Sequence, residues 1–245
     1  MPTHYLRALT SPHRTDISNR RLGRSLAFVA GAVNAGGFFA VGQYTSHMSG
    51  IVSALADNAA LGEMALILAG LSSLAAFFLG AATSAVLINW GRRRGAHSRY
   101  ALPLILEAAL LLAFGLMGAR LAAQGHIDAT VALLCFVMGL QNAIVTKVSR
   151  AEIRTTHVTG LVTDIGIELG KLFYWNGSAQ AGDKVVADRG RLRLLSSLLG
   201  MFLAGGLAGA FGFKYLGFIA TVPLALALLS MAVFPLIDDW RAAPL

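Results

Sequence analysis

Six stretches of this chain are apolar enough and long enough to cross a bilayer, and that limits the fold before anything else is considered. They cover about 25–41, 63–90, 101–122, 130–147, 192–212 and 215–236. Hydrocarbon offers backbone N–H and C=O groups no partners, so a spanning segment has to be a helix or part of a closed barrel. Runs of about 20 residues suit the helix. Charged residues make up only 13% of the 245, hydrophobic ones 56%, and the mean hydropathy is +0.66. A soluble domain of this size would need many more charges to cover its surface. The expected fold class is an all-α membrane protein. The second run exceeds a perpendicular crossing, so it is expected to tilt or to project into the cytoplasm. No small-residue cleavage site follows the basic N-terminal 24 residues, so the first apolar run is expected to be kept as a helix. With a single cysteine, Cys135, an internal disulfide is excluded.

A net charge of +8 would suit nucleic acid, but the basic residues sit in the short connections between apolar runs. Residues 1–24 carry Arg7, Arg14, Arg20, Arg21 and Arg24. Later connections carry Arg92, Arg93, Arg94 and Arg99, then Lys147, Arg150 and Arg154, then Lys171, Lys184, Arg189, Arg191 and Arg193. Little more than Arg120 and Lys214 is left for the other side. All four clusters share one side if the segments 42–58 and 148–191 each enter and leave by the same face. The positive-inside rule then puts both termini in the cytoplasm.

Those two segments carry the same motif. Thr45-Ser46-His47-Met48-Ser49-Gly50-Ile51-Val52 returns 110 positions later as Thr155-Thr156-His157-Val158-Thr159-Gly160-Leu161-Val162. The likeness extends further. Gly31-Ala32-Val33-Asn34-Ala35 resembles Gly139-Leu140-Gln141-Asn142-Ala143. Leu71-Ser72-Ser73-Leu74 with Phe78-Leu79 matches Leu195-Ser196-Ser197-Leu198 with Phe202-Leu203, and Pro103-Leu104 matches Pro223-Leu224. The expected layout is a repeat over 25–124 and a second over 125–236, flanked by cytoplasmic segments 1–24 and 237–245. Each repeat would hold three transmembrane helices plus a re-entrant extended stretch and half-helix. Three crossings are odd, so the second repeat is inverted.

The stretches 42–45 and 151–155 read as extended, and the runs 48–57 and 158–170 as half-helices too short to cross. Ser46, Thr156, Ser49 and Thr159 are N-cap candidates. A half-helix that begins near the midplane aims unpaired N–H groups and its positive dipole end inward. Two such ends brought together by inversion suit an anion. The candidate solute-binding residues are Tyr44, Thr45, Ser46, His47, Ser49 and Gly50, and from the second copy Thr155, Thr156, His157, Thr159 and Gly160. Asn34 and Asn142 join them at matched places inside two spans; such amides bind another helix or a broken backbone, or contact solute. His47 and His157 can donate to an anion, or cap their own helices. Two histidines are too few for a metal site, and no metal or cofactor is expected. Carboxylates at membrane depth are expensive, which makes Glu107, Asp164, Asp57 and Glu168 proton-coupling candidates; the structural alternative is pairing with Lys171, Arg150 or Arg154.

The blocks Gly31-Ala-Val-Asn34-Ala with Thr45-Ser-His-Met-Ser-Gly50, and Thr155-Thr-His-Val-Thr-Gly160-Leu-Val-Thr-Asp164, resemble the YoaK family of small bacterial multi-pass membrane proteins. The resemblance covers residues 20–236 and implies a bacterial inner-membrane protein of this architecture. A duplicated, inverted half-helix is also similar, by analogy alone, to the sulfate-permease and nucleobase-transporter fold. The function these readings favour is a secondary transporter or facilitator of a small, anionic solute held between two half-helix N-termini. The alternatives are a channel-like pore for an ion or water and a non-transporting membrane scaffold. No nucleophile–base pair marks an enzyme. The partners expected are the solute and membrane lipid, without nucleic acid, and the small-residue faces at 80–84 and 200–212 suit a homodimer.

Overall fold

A computed structural model describes residues 16–94, 100–125, 127–148, 156–177 and 184–242. Thr155, the stretch 151–155, and Arg7, Arg14, Arg99, Arg150 and Arg154 lie outside the described residues. Everything regular in the described chain is helical: α1 (Asp16–Val41), α2 (Met48–Leu61), α3 (Met64–Arg93), α4 (Ala101–Ala123), α5 (Ile127–Val148), α6 (Val158–Phe173), α7 (Arg189–Leu216) and α8 (Thr221–Ala242), with a 3-10 turn at Gly217–Ala220. Five segments are long and apolar enough to cross a membrane; the last, Arg189–Val233, is 45 residues long and runs from α7 through the 3-10 turn into α8. Helix α1 starts nine residues earlier than the apolar run, because the basic residues from Arg20 to Arg24 continue the helix beyond it. Likewise α8 continues to Ala242, past the expected end at 236.

The buried core is centred on α1, α4, α5 and α8, through side chains such as Leu22, Leu26, Leu104, Leu111, Phe114, Leu134, Met138, Ile144 and Leu228, and one side of α7 adds Leu194, Leu195, Leu198 and Phe213. Helices α3 and α7 flank this core. They expose much of their apolar surface: Phe78 is 70% and Leu203 62% accessible, and Leu79, Val86, Leu207 and Phe211 are exposed with them. Two helices with this much bare hydrocarbon belong in lipid; in water they would form a patch far beyond what a soluble monomer carries.

Glycines set how α3 and α7 attach. A methyl group on Gly31 of α1 would overlap the Phe202 carbonyl of α7, and one on Gly205 would overlap the Phe28 carbonyl of α1. The same exchange joins α5 to α3, with Gly139 against the Phe77 carbonyl and Gly80 against that of Phe136. Backbone-to-backbone approach of this kind is the main source of helix association where lipid cancels the hydrophobic drive. These contacts pair Phe77 with Phe202 and Gly80 with Gly205, an offset of 125, one more than the offset of 124 read from the serine–leucine block. The reason is physical: the closest backbone contact fixes equivalence, whereas a short run of serines and leucines can match in more than one register. Helices α1 and α7 run parallel, since Arg24 donates to Ser197 Oγ (2.8 Å), Gly31 meets Phe202, and Gly36 meets the Phe213 ring.

Helices α2 and α6 have 14 and 16 residues. At 1.5 Å per residue they reach about 21 and 24 Å, short of the roughly 30 Å hydrocarbon core. Helix α2 ends at Gly62, whose left-handed conformation (φ 76°) lets its N–H reach the Ala59 carbonyl, and a two-residue link leads into α3. It lies back along the first half of α3, where Leu55 fills the space over Gly70. Helix α6 lies along the start of α7 in the same way, tied there by Asp164 and Glu168.

Candidate functional site

The site begins with a chain reversal. Gly42, at φ 72°, turns the backbone sharply after α1. Tyr44 stacks on Phe38, with ring centroids 4.7 Å apart and planes 21° from parallel. Two residues on, the Ser46 N–H and the Ser46 hydroxyl both donate to Asn34 Oδ1, at 3.1 and 2.9 Å. Asn34 sits seven residues before the end of α1, so the chain has come back about two turns along the helix it just left. Broken backbone inside an apolar bundle needs a partner of this kind.

Helix α2 then starts at Met48 with His47 at the N-cap, and α6 starts at Val158 with His157 at the N-cap. Neither side chain makes a capping hydrogen bond. This corrects the capping expectation: Ser46 and Thr156 lie one residue outside the cap, and Ser49 and Thr159 lie one residue inside the first turn. Each imidazole folds over its own first turn instead. A methyl on Gly50 would overlap the His47 ring, and one on Gly160 the His157 ring. The recurring His-x-x-Gly is therefore a space requirement: glycine at the third helical residue makes room for the ring. Among the described residues no side chain caps the first N–H groups of either helix, which leaves them open to another partner.

Both helix starts open on one cavity of about 970 Å³. The first copy contributes Tyr44, Ser46, His47, Met48 and Ser49, the second Thr156, His157, Val158 and Thr159. Asn34 of α1 and Asn142 of α5 both line it, as do Phe77 and Phe202, each near the middle of its helix. The half-helices thus begin level with the midpoints of α3 and α7. Thr45 is not in the wall; it is fully buried against Gly37, and its hydroxyl has no partner among the described residues. Gly50 and Gly160 lie behind the histidines, and Gly50 instead borders a smaller cavity of about 350 Å³ between α2 and α3. Tyr44 and His47 line both cavities.

Lys147 and Thr146 also line the main cavity. From the sequence Lys147 reads as one more positive charge in a connection. The helical period could have found it: Thr146 follows Asn142, and Lys147 follows Ala143, by four residues on the same face of α5. Among the described lining residues there is one cation and no carboxylate.

The acidic candidates lie elsewhere. Asp164 pairs with Arg191 at 3.0 Å. Glu168 accepts from Lys171 Nζ at 2.9 Å and from the Asp188 N–H at 2.8 Å, and these donors hold its carboxyl below the usual range. Asp188 is the N-cap of α7; its Oδ1 accepts from the Arg191 and Gly190 N–H groups, which likewise hold its carboxyl low. Both α6 carboxylates therefore fasten the half-helix to the first turn of α7. Asp57 is exposed on α2. Glu107 is fully buried in α4, and both of its carboxylate oxygens lack a partner among the described residues. Among the described residues no group of three or more His, Cys, Asp and Glu is gathered as a metal would need.

The described residues offer an anion helix N–H groups without side-chain caps, two positive dipole ends, several hydroxyls and amides, and one ammonium. No curated protein and no solved structure matches the chain. The model of one protein family matches residues 22–234, nearly all of the apolar bundle, and the chain belongs to that family, which is described as a protein of unknown function (DUF1275).

Proposed function

We propose that the protein is a secondary transporter or facilitator of a small anionic solute, bound near the bilayer midplane where the two half-helices begin. One observation carries this: residues of both motif copies, 110 positions apart, wall a single cavity that contains Lys147 and no described carboxylate. Two facing half-helices at membrane depth are the way broken-helix transporters hold anionic groups.

The membrane path we infer has six crossings. The 45-residue segment is more than twice a roughly 20-residue span, so α7 and α8 each cross, while α2 and α6 are too short. The parallel run of α1 and α7, the first and fifth crossings, agrees with this path. Three crossings per repeat would make the second repeat inverted, with both termini cytoplasmic by the placement of Lys and Arg. The resemblance to the YoaK family agrees with a bacterial inner-membrane location. Glu107 is the carboxylate we assign to proton coupling, since Asp164 and Glu168 are already engaged with Arg191 and Lys171.

Purified protein in liposomes tests the proposal. It should carry a small organic or inorganic anion with saturable uptake and counterflow, and the pair Ser49→Ala and Thr159→Ala should weaken uptake at least severalfold. Flux without saturation or counterflow would instead mark a channel. A panel of anions that shows neither binding nor flux would end the proposal.

A further inference from the structure

We infer that the cavity takes an organic acid, a carboxylate borne on a flat or branched apolar body, and not a compact inorganic anion. The inference rests on the anion-binding reading above and narrows its substrate class.

Size is the first observation. At about 970 Å³ the space holds the volume of roughly thirty waters at about 30 Å³ each. It lies at the upper end of the roughly 300–1,000 Å³ typical of pockets for drug-sized ligands. An ion of four or five heavy atoms would touch one wall and leave the rest to water.

The walls are the second. They divide chemically by element. The α1 and α5 side presents Asn34, Asn142, Thr146 and Lys147, and the helix starts add hydroxyls and imidazoles. The α3 and α7 side contributes Phe77, Ala81 and Phe202 and nothing polar. A bound species should match both: a charged group towards Lys147 and the helix ends, and apolar surface towards the phenylalanines. Pockets of this composition orient a ligand by a few polar groups and gain affinity from the apolar remainder.

Rigidity is the third. Phe77 and Phe202 are the two residues whose backbone carbonyls receive Gly139 and Gly31 at the closest helix crossings. Their main chains are thus pinned where α3 meets α5 and α7 meets α1. Rings carried on a pinned backbone leave little main chain to order when apolar surface is bound. A solute of only oxygen and a central atom would leave those rings without apolar surface to meet.

The test is a binding panel on the full-length protein in detergent or nanodiscs. The probes are benzoate, a branched aliphatic carboxylate, acetate, phosphate and sulfate, each titrated by calorimetry and by the shift in unfolding temperature. Benzoate or the branched acid should bind at least tenfold tighter than acetate, phosphate or sulfate. Phe77→Leu and Phe202→Leu should each weaken benzoate severalfold, and by more than they weaken acetate. Lys147→Gln should weaken all carboxylates alike. If phosphate or sulfate binds as tightly as benzoate, the organic-acid inference is overturned and the anion reading stands. If no anion in the panel binds, both fall. The wild-type panel decides the matter even where a phenylalanine variant does not fold.

Discussion

Asn34 Oδ1 accepts two hydrogen bonds from Ser46, one from its N–H at 3.1 Å and one from its hydroxyl at 2.9 Å. One amide oxygen thereby holds the returning backbone against α1 and fixes where α2 begins. Asn34→Leu should lower stability by about 1–3 kcal/mol, because two donors lose their acceptor in a low-dielectric setting. Asn34→Asp keeps an acceptor oxygen in the same place and should lose less than Asn34→Leu, because the two Ser46 donors offset part of the cost of a carboxylate at that depth. Thermal unfolding in detergent separates the two; equal losses in both variants would mean the oxygen is not what matters.

The glycines at the helix crossings should behave differently from those facing open space. Gly31→Ala and Gly139→Ala would drive a methyl into a carbonyl and should each cost about 1–3 kcal/mol. Gly166→Ala on α6 meets nothing within 4 Å and should be neutral or stabilising by up to about 1 kcal/mol through helix propensity. Side-by-side unfolding of the three variants checks the contrast.

His47 and Gly50 should be coupled. In the wild type, Gly50→Ala collides with the imidazole and should disturb both stability and solute affinity. In a His47→Ala background the same change meets no ring and should be harmless or favourable. A double-mutant cycle should therefore give a coupling of about 1 kcal/mol or more between the two sites. Additive effects would show that the ring does not occupy that space.

The junction between α6 and α7 should weaken in acid. Glu168 and Asp188 have ordinary values near 4.5 and 3.8 and are both held lower in the folded protein, chiefly by Lys171 and by the Arg191 N–H. The folded state then binds fewer protons than the unfolded one between the two sets of values. The stability they add is complete above about pH 5 and is lost as the pH falls through the folded values. Asp188→Asn, which keeps a capping oxygen without the charge, should reduce this acid dependence to the Glu168 share, whereas Asp188→Ala should lower stability at neutral pH as well. Protease sensitivity of α6 measured from pH 7 to pH 3 reads both effects.

Glu107→Gln should leave the fold and solute binding intact and remove uptake driven by a pH gradient. An ionised, unpartnered carboxylate at that depth would cost several kcal/mol, so the side chain must change partner or surroundings whenever it changes charge. Glutamine is nearly isosteric and cannot make that change. Gradient-driven uptake that survives the substitution would remove Glu107 from the mechanism.

Much of this was legible in the chain. Helix positions follow from apolar runs, since the bilayer allows no other use for them, and α2 and α6 start inside the polar motifs, at the residue after each histidine. Other features were not legible, each for a stated reason. Asp164 and Arg191 are 27 residues apart, and nothing local tells which of several basic residues a carboxylate will reach. Lys147 looked like a topogenic charge because positive residues at helix ends serve that role by default. The Leu-Ser-Ser-Leu match slipped by one residue because a four-residue likeness of common apolar and small residues does not fix register, whereas the glycine crossings do.

The sequence by itself determined that the protein is helical and suited to lipid, and that it repeats a histidine-centred break. These properties depend on composition and local order: hydropathy, period and the lack of partners for backbone in hydrocarbon. The tertiary structure alone decided that both breaks face one cavity, that each histidine lies over its glycine, and that Lys147 and two pinned phenylalanines complete the wall. Those outcomes depend on which backbone surfaces come within contact, and here that is set by glycines on helices far apart in the chain.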